Sequence, residues 1–247
     1  MRCGMLYNCL LLKGGISMNR YLMLKMWLLA LLVAVPVSAQ EARYGAGVFF
    51  NRSVPVLGFH ERYSASQVYG AVLDYQVSSR ATMEFEYHHM TMDNGKIEGL
   101  AFTWPIDKQK YLSPDANSRF NLNSFLINAL AYLNTRKSGS DLQLLPYIAV
   151  GAGFYDYQDR ITGLIYPGQK EEPLNADLML DDREDEHTAL GANVGLGMTV
   201  VQGRFGLDIR GRYHMILGDL RPMEAWNLPG VFPLAMFDFR TAFKLYW

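Results

Sequence analysis

Cysteine is almost missing from this sequence, and the little there is cannot staple a fold. The only two, Cys3 and Cys9, precede residue 39, so a chain cut beyond them has no disulfides available. Long apolar runs are missing as well. After residue 39 no stretch reaches the ~20 residues that a membrane-spanning helix needs. There is no basic block to offer a footprint for nucleic acid. Phosphate-binding loops, GxSxG, HExxH and CxxC are all lacking from residue 40 onward, which removes the common nucleotide, hydrolase, zinc and redox signatures. Disorder is also excluded, since 50% of the residues are hydrophobic and only 19% are charged. Stability must therefore come from a core or from a closed sheet.

The N-terminal region is distinct. Residues 18–39 read MNRYLMLKMWLLALLVAVPVSA: Arg20 and Lys25 make a basic start, Trp27 to Val35 an apolar run, and Val37-Ser38-Ala39 a small-residue cleavage site. This is the pattern of a cleavable signal peptide, with cleavage predicted after Ala39, and the apolar run is too short for a transmembrane anchor. No cysteine stands at the junction, so a lipid anchor there is not expected. Residues 1–17 form an extension ahead of a second possible start at Met18, and the sequence leaves Met1 and Met18 open as the true start. The division expected is 1–39, extension plus signal peptide, and 40–247, one folded unit. Residues 1–39 hold four cations and no acid. Their removal leaves 19 of the 23 basic residues against 24 acidic ones, a net charge of −5.

What fills residues 40–247 is a period of two. Alternation of apolar and polar residues marks strands, because successive side chains point to opposite faces. It is legible at 43–50, 68–78, 81–92, 123–134, 144–155, 188–201, 205–216 and 237–247. In the last of these Phe237, Phe239, Thr241, Phe243, Leu245 and Trp247 share one face, and Asp238, Arg240, Ala242, Lys244 and Tyr246 the other. The links between strands alternate in length. Ser79-Arg80, 135–141 and 202–204 are short; 51–67, 93–122, 156–187 and 217–234 are long. KIEGLAFTW, 96–104, is read as a hairpin extension within the second long loop, since a ninth spanning strand would break the alternation of turns.

Eight strands with two bare edges would aggregate, and closure removes the edges. Short turns on one side and long loops on the other are the pattern of an up-and-down barrel in an outer membrane. The fold class predicted is all-β: an eight-stranded antiparallel up-and-down transmembrane β-barrel, preceded by a cleavable signal peptide. A soluble lipocalin-like barrel would use the same alternation with the apolar face inward. Gly, Ala and charges on the non-aromatic face, aromatics near strand ends, and a final Trp247 favour the inverted arrangement.

LINALAYLN, LLPYIAVGAGF, GANVGLGMTV and LDIRGRYHM, together with the closing aromatic strand, resemble the small outer-membrane β-barrel family, of the OmpA-like barrel-domain kind. The likeness covers most of residues 43–247 and rests on Asn128, Pro146-Tyr147, Gly151, Gly153 and Trp247. It implies location in the bacterial outer membrane. The partners it implies are outer-membrane lipid, lipopolysaccharide and the assembly machinery, which would read the strand ending Phe243, Leu245, Trp247. No residues follow Trp247, so the peptidoglycan-binding domain of OmpA-like proteins is not expected. A monomer that binds no nucleic acid is expected.

The inward face would carry Asp74, Glu84, Glu86, Asp208 and Asp238 against Arg210, Arg212, Arg240 and Lys244, with His88 and His214 beside them. Such charges must pair, and a salt-bridge network filling the lumen is the first expectation; a narrow or gated channel for small solutes is the alternative. In 156–187 the carboxylates Asp177, Asp181, Asp182, Glu184, Asp185 and Glu186 crowd together. A solvated mobile loop accounts for them; Ca²⁺ or Mg²⁺ capture beside lipopolysaccharide is the alternative, on ligand type alone. No cofactor is otherwise expected. A lipid A-modifying enzyme would need a nucleophile beside a histidine. His89 and Thr91 share the lipid face without a serine, so the chain is not expected to be an enzyme. The function expected is a structural, adhesive or surface-recognition role through the long external loops.

Overall fold

A computed structural model of the chain describes residues 43–93, 95–137 and 141–247. The signal peptide and its cleavage site lie outside the described residues. Eight long strands close into one antiparallel barrel: β1 (Tyr44–Val56), β2 (Ser66–Ser78), β3 (Ala81–Asp93), β6 (Asn117–Tyr132), β7 (Gln143–Thr162), β8 (Arg183–Gln202), β9 (Phe205–Ile216) and β10 (Leu234–Tyr246). Neighbours in sequence are neighbours in the wall. The first and last strands complete the circle, in register from Gly45 opposite Tyr246 to Val56 opposite Ala235. Two further bonds seal the seam, Tyr44 N–H to the Trp247 carbonyl (3.2 Å) and Trp247 N–H to the Tyr44 carbonyl (3.0 Å). Closure gives every barrel strand a neighbour on both sides over the shared span of the wall.

The 96–104 segment folds as expected within its loop. A turn of 3-10 helix, Ile97–Gly99, leads into β4 (Ala101–Thr103), which pairs with β5 (Lys110–Leu112) as a separate two-stranded sheet. Four strand ends differ from the sequence reading by five residues or more. β1 runs on to Val56, β6 begins at Asn117, β7 ends at Thr162 and β8 begins at Arg183. The loop expected at 156–187 therefore shrinks to residues 163–182. On β6, β7 and β8 polar residues mark the extensions on the outer face, yet their amides are paired in continuous register, from Asn117 opposite Thr162 and from Ile161 opposite Arg183.

Alternation sorts the side chains as the wall requires. Leu196 is 66% exposed and Phe205 72%, while Glu84, Asp208 and Arg212 are fully buried and Arg210 and Arg240 nearly so. The interior has three layers. At the end carrying the short turns, Leu130, Tyr132, Leu145, Tyr147, Ala149, Val201 and Tyr246 form an apolar floor. The charged residues fill the middle. Above them a larger apolar cluster is built on Phe59, Met90, Phe120, Leu122, Tyr155, Ile216 and Leu234. Close packing reaches the backbone at Gly70: a Cβ there would collide with the Phe49 ring and the Tyr87 carbonyl, so only glycine lets that ring lie against the wall.

The long links fold over the open end. Ile97, Phe102, Trp104, Ile161, Leu164, Met223, Trp226 and Leu228 make a second core above the barrel, and the Trp104 indole N–H donates to the Gln169 carbonyl (3.1 Å). The long loops thus form a packed cap.

Candidate functional site

The nine charged residues expected in the lumen all point into it. Glu86 is the hub. Its Oε1 accepts from Arg210 Nη1 (3.1 Å) and from Arg240; its Oε2 accepts from Arg212 Nη1 (2.7 Å) and lies 2.7 Å from His88 Nε2. Glu84 takes Arg210 Nη2 (2.6 Å) and Lys244, and Lys244 also donates to Asp74 (2.9 Å). Asp208 accepts from the Tyr147 hydroxyl (2.6 Å) and the Thr199 hydroxyl (2.9 Å), and Asp238 lies 3.1 Å from His214 Nε2. Charges removed from water persist only when paired in this way. The residues come from β2, β3, β9 and β10, so the network ties opposite walls together. Asn128 and Asn193 continue it as a neutral pair (3.0 Å).

The outer face changes character along each strand. On β7 the outward residues are Leu144, Pro146, Ile148, Val150, Ala152 and Phe154, followed by Asp156, Gln158 and Arg160. The apolar run from 144 to 154 matches the ~9–11 residues of a tilted strand crossing a bilayer. Cross-strand neighbours switch in step. Tyr87, Phe125, Phe154 and Leu190 make one row, and His89, Asn123, Asp156 and Thr188 the next row up. The polar rows are bonded sideways: Tyr87 hydroxyl to Asn123 Oδ1 (3.0 Å), His89 Nδ1 to the same oxygen (2.9 Å), Thr91 hydroxyl to Asn121 (2.9 Å), Thr188 hydroxyl to Asp156 (2.9 Å) and Gln158 to Glu186 (2.8 Å). Aromatic residues beneath polar ones mark a membrane interface. A soluble chain does not expose an apolar belt of this extent. The protein is a bilayer-spanning β-barrel of the bacterial outer membrane.

The carboxylates weighed as metal ligands do not converge. Strand alternation in β8 sends Glu184 and Glu186 outward, where both meet Gln158, and turns Asp185 inward to Arg183 (3.3 Å) and Arg221 (3.4 Å). Asp182 pairs with Arg160 (3.3 Å), and Asp177 and Asp181 stay exposed in the loop. Among the described residues no group of three His, Cys, Asp or Glu side chains is placed to hold a metal ion. The sequence reading missed that Arg183–Glu186 continue a paired strand, which is what divides them. It also found no serine near His89. The structure brings Ser66, from the adjacent strand, to line the same cleft as His89 and Thr91. The Ser66 hydroxyl donates to the Thr91 carbonyl (2.5 Å) and the Thr91 hydroxyl to Asn121, so neither is bonded to the imidazole. Phe243 and Leu245 face lipid, while Trp247 is half-buried at the seam.

A second buried polar group joins barrel to cap. The Tyr63 hydroxyl donates to Asp159, and Arg62 Nη2 donates to the carbonyls of Arg221 (2.6 Å) and Pro229 (3.2 Å). All three lie above the membrane-spanning band. Burial raises the Asp159 carboxyl above the usual carboxylate range, against the opposing pull of the Tyr63 bond and the Arg62 charge. Burial likewise raises the Tyr63 phenol and lowers the Arg62 guanidinium.

No protein-family model matches the chain, and no curated protein does. Among solved structures it is similar to Ail, the attachment invasion locus protein of Yersinia pestis, at 9% identity and a TM-score of 0.46, over 84% of this chain and all of that one. It is similar to Neisserial surface protein A at 11% identity and a TM-score of 0.44, over 83% of this chain and 97% of that one. The N-terminal β-barrel domain of Pseudomonas aeruginosa OprF aligns at 12% identity and a TM-score of 0.38, over 83% of this chain and all of that domain. Likeness at this level carries no activity or ligand across.

Two outcomes follow from this geometry. Glu86→Ala leaves three buried guanidinium groups short of their shared partner and should cost about 3–5 kcal/mol. The urea midpoint of the folded band, read on unheated gels, should fall accordingly; an unchanged midpoint would mean that the hub is dispensable. The folded state holds the Asp159 proton more tightly than the unfolded chain does. Its contribution is therefore complete below the unfolded carboxyl value of about 3.9 and is lost as pH rises through the higher folded value. Amide-exchange protection around Arg62 and Tyr63, corrected for intrinsic rate, should fall as pH rises above about 4. Asp159→Asn should flatten that dependence, and protection rising over the same window would contradict the assignment.

Proposed function

We propose that this protein acts through its external face, as a structural and surface-recognition barrel, and neither conducts solutes nor catalyses a reaction. The observation that carries the reading is the pairing of a filled lumen with a packed external cap. An eight-stranded barrel leaves room inside for little beyond side chains, and here an apolar floor, a charge network and an apolar upper layer occupy successive levels. A solute pathway would have to break the Glu86 hub and displace Phe59 and Phe120.

Catalysis is disfavoured on chemical grounds. Activation of Ser or Thr requires a base within hydrogen-bond reach, and the hydroxyls beside His89 are engaged elsewhere. The cap is the part of the molecule that faces outward as a shaped surface, and loops held by a rigid scaffold are where recognition concentrates. Leu112, Tyr166, Leu178 and Met179 are exposed on the loops that form it.

The experiment compares cells displaying the intact protein with cells displaying a barrel whose 96–116 and 164–180 segments are replaced by short turns. Both are scored for attachment to an extracellular-matrix surface and for conductance in planar bilayers. The intact chain should raise attachment several-fold with silent bilayers, and cap removal should abolish attachment while the barrel still inserts. Steady single-channel currents from the intact chain, or attachment unchanged by cap removal, would overturn the reading.

A further inference from the structure

One outward cation stands at the edge of the apolar belt. Arg52 points outward from β1 between Phe50 and Val54, with Phe239 of β10 on one side and Gln67 of β2 on the other. Among the described residues no carboxylate pairs with it, whereas the exposed Arg119 and Arg160 higher on the wall have Asp93 (2.5 Å) and Asp182 (3.3 Å). An arginine on a lipid-facing wall is tolerated only near the interface and benefits there from an anionic neighbour.

The surroundings supply the rest of a binding site. Arg52 and Gln67 are cross-strand neighbours, and Phe50, Tyr69 and His89 form the row beneath. Arg52, Ala65, Ser66, Gln67, Tyr69, His89 and Thr91 line a cleft of about 420 Å³, within the ~300–1,000 Å³ typical of small-ligand sites. No carboxylate lines it. Asn123 Oδ1 accepts from both the Tyr87 hydroxyl and His89 Nδ1, so Nε2 is the imidazole nitrogen that a ligand would meet. Phe50 and Tyr69 pack edge to face just below (5.6 Å between ring centres), giving acyl chains an aromatic shelf.

We propose that this cleft binds the phosphate of an outer-leaflet lipid headgroup, with Arg52 as the principal cation, the Gln67 side-chain amide as a second donor, and the Phe50–Tyr69 pair seating the chains. The proposal rests on the membrane-spanning reading. Charge decides the class of ligand, because the cleft is cationic and free of acid. Position decides the source, because it opens at the boundary of the lipid-facing belt.

The test is native mass spectrometry of the full-length barrel released from detergent, titrated with phosphorylated lipid A and with the same lipid stripped of phosphate. Wild type should hold the phosphorylated lipid about tenfold or more tightly. Arg52→Gln should lose that preference, Arg52→Lys should keep part of it, and Arg119→Gln should keep all of it. A heat-shifted band on unheated gels confirms folding of each variant. Equal retention of both lipids by wild type, or an undiminished preference in Arg52→Gln, would refute the site. Displacement of lipid by millimolar inorganic phosphate would refute the lipid source in favour of a free anion. Failure of the membrane reading would show separately, as a chain soluble without detergent and with no heat shift.

Discussion

Closure of the sheet between β1 and β10 is the constraint on which the rest depends. In hydrocarbon a backbone amide has no water to fall back on, so every pair along the wall must be made within the sheet. The seam is met by a run of continuous register and finished by the reciprocal bonds of Tyr44 and Trp247. This explains why the alternation runs on to the last aromatic residue: these positions complete the wall, with Phe243 and Leu245 against lipid and Tyr246 against the floor of the lumen. Once the circle is closed, the period of two fixes the destination of every side chain.

That sorting creates an electrostatic problem and also its solution. Five acids and four bases are placed in a narrow, water-poor interior, and none could remain there alone. Their arrangement around Glu86 pairs them across opposite walls and fills the middle of the barrel. A buried ion network is weak evidence for extra stability and better evidence for a particular register, since a one-residue slip of β3 or β9 would turn the charges toward lipid. With the lumen occupied, the surfaces left to meet other molecules are the cap and the outer boundary of the belt.

Much of this was legible in the sequence because a strict two-residue period needs no tertiary information. The inward positions of Glu84, Glu86, Arg210 and Arg240 follow from counting along each strand. The strand extensions at 117–122, 156–162 and 183–187 were not legible, for a definite reason. Above the bilayer the outward residues turn polar, and NSRFNL, DYQDRIT and REDEH then read as loop although their amides are still paired. The carboxylates that crowd in sequence are for the same reason divided between two faces. The meeting of Ser66 with Thr91, and of Arg52 with His89, depends on register between strands, which no single strand's pattern contains. The packed cap was likewise hidden, because Phe102, Trp104 and Trp226 are scattered apolar residues in sequence and become a core only when three separate links meet.

The central claim is the inverted polarity: lipid outside, charge inside, with a boundary just beyond Phe154. Since both cysteines lie before residue 39, single cysteines can be placed one at a time along β7 without background from residues 40–247. We would attach a nitroxide at 148, 150, 154, 156, 158 and 160 in bilayer-reconstituted protein and compare its accessibility to oxygen and to a water-soluble nickel chelate. The account predicts oxygen-dominated relaxation through 154 and a switch to the nickel reagent from 156 onward. Nickel accessibility at all six positions would mean that the apolar belt faces water and would contradict the account.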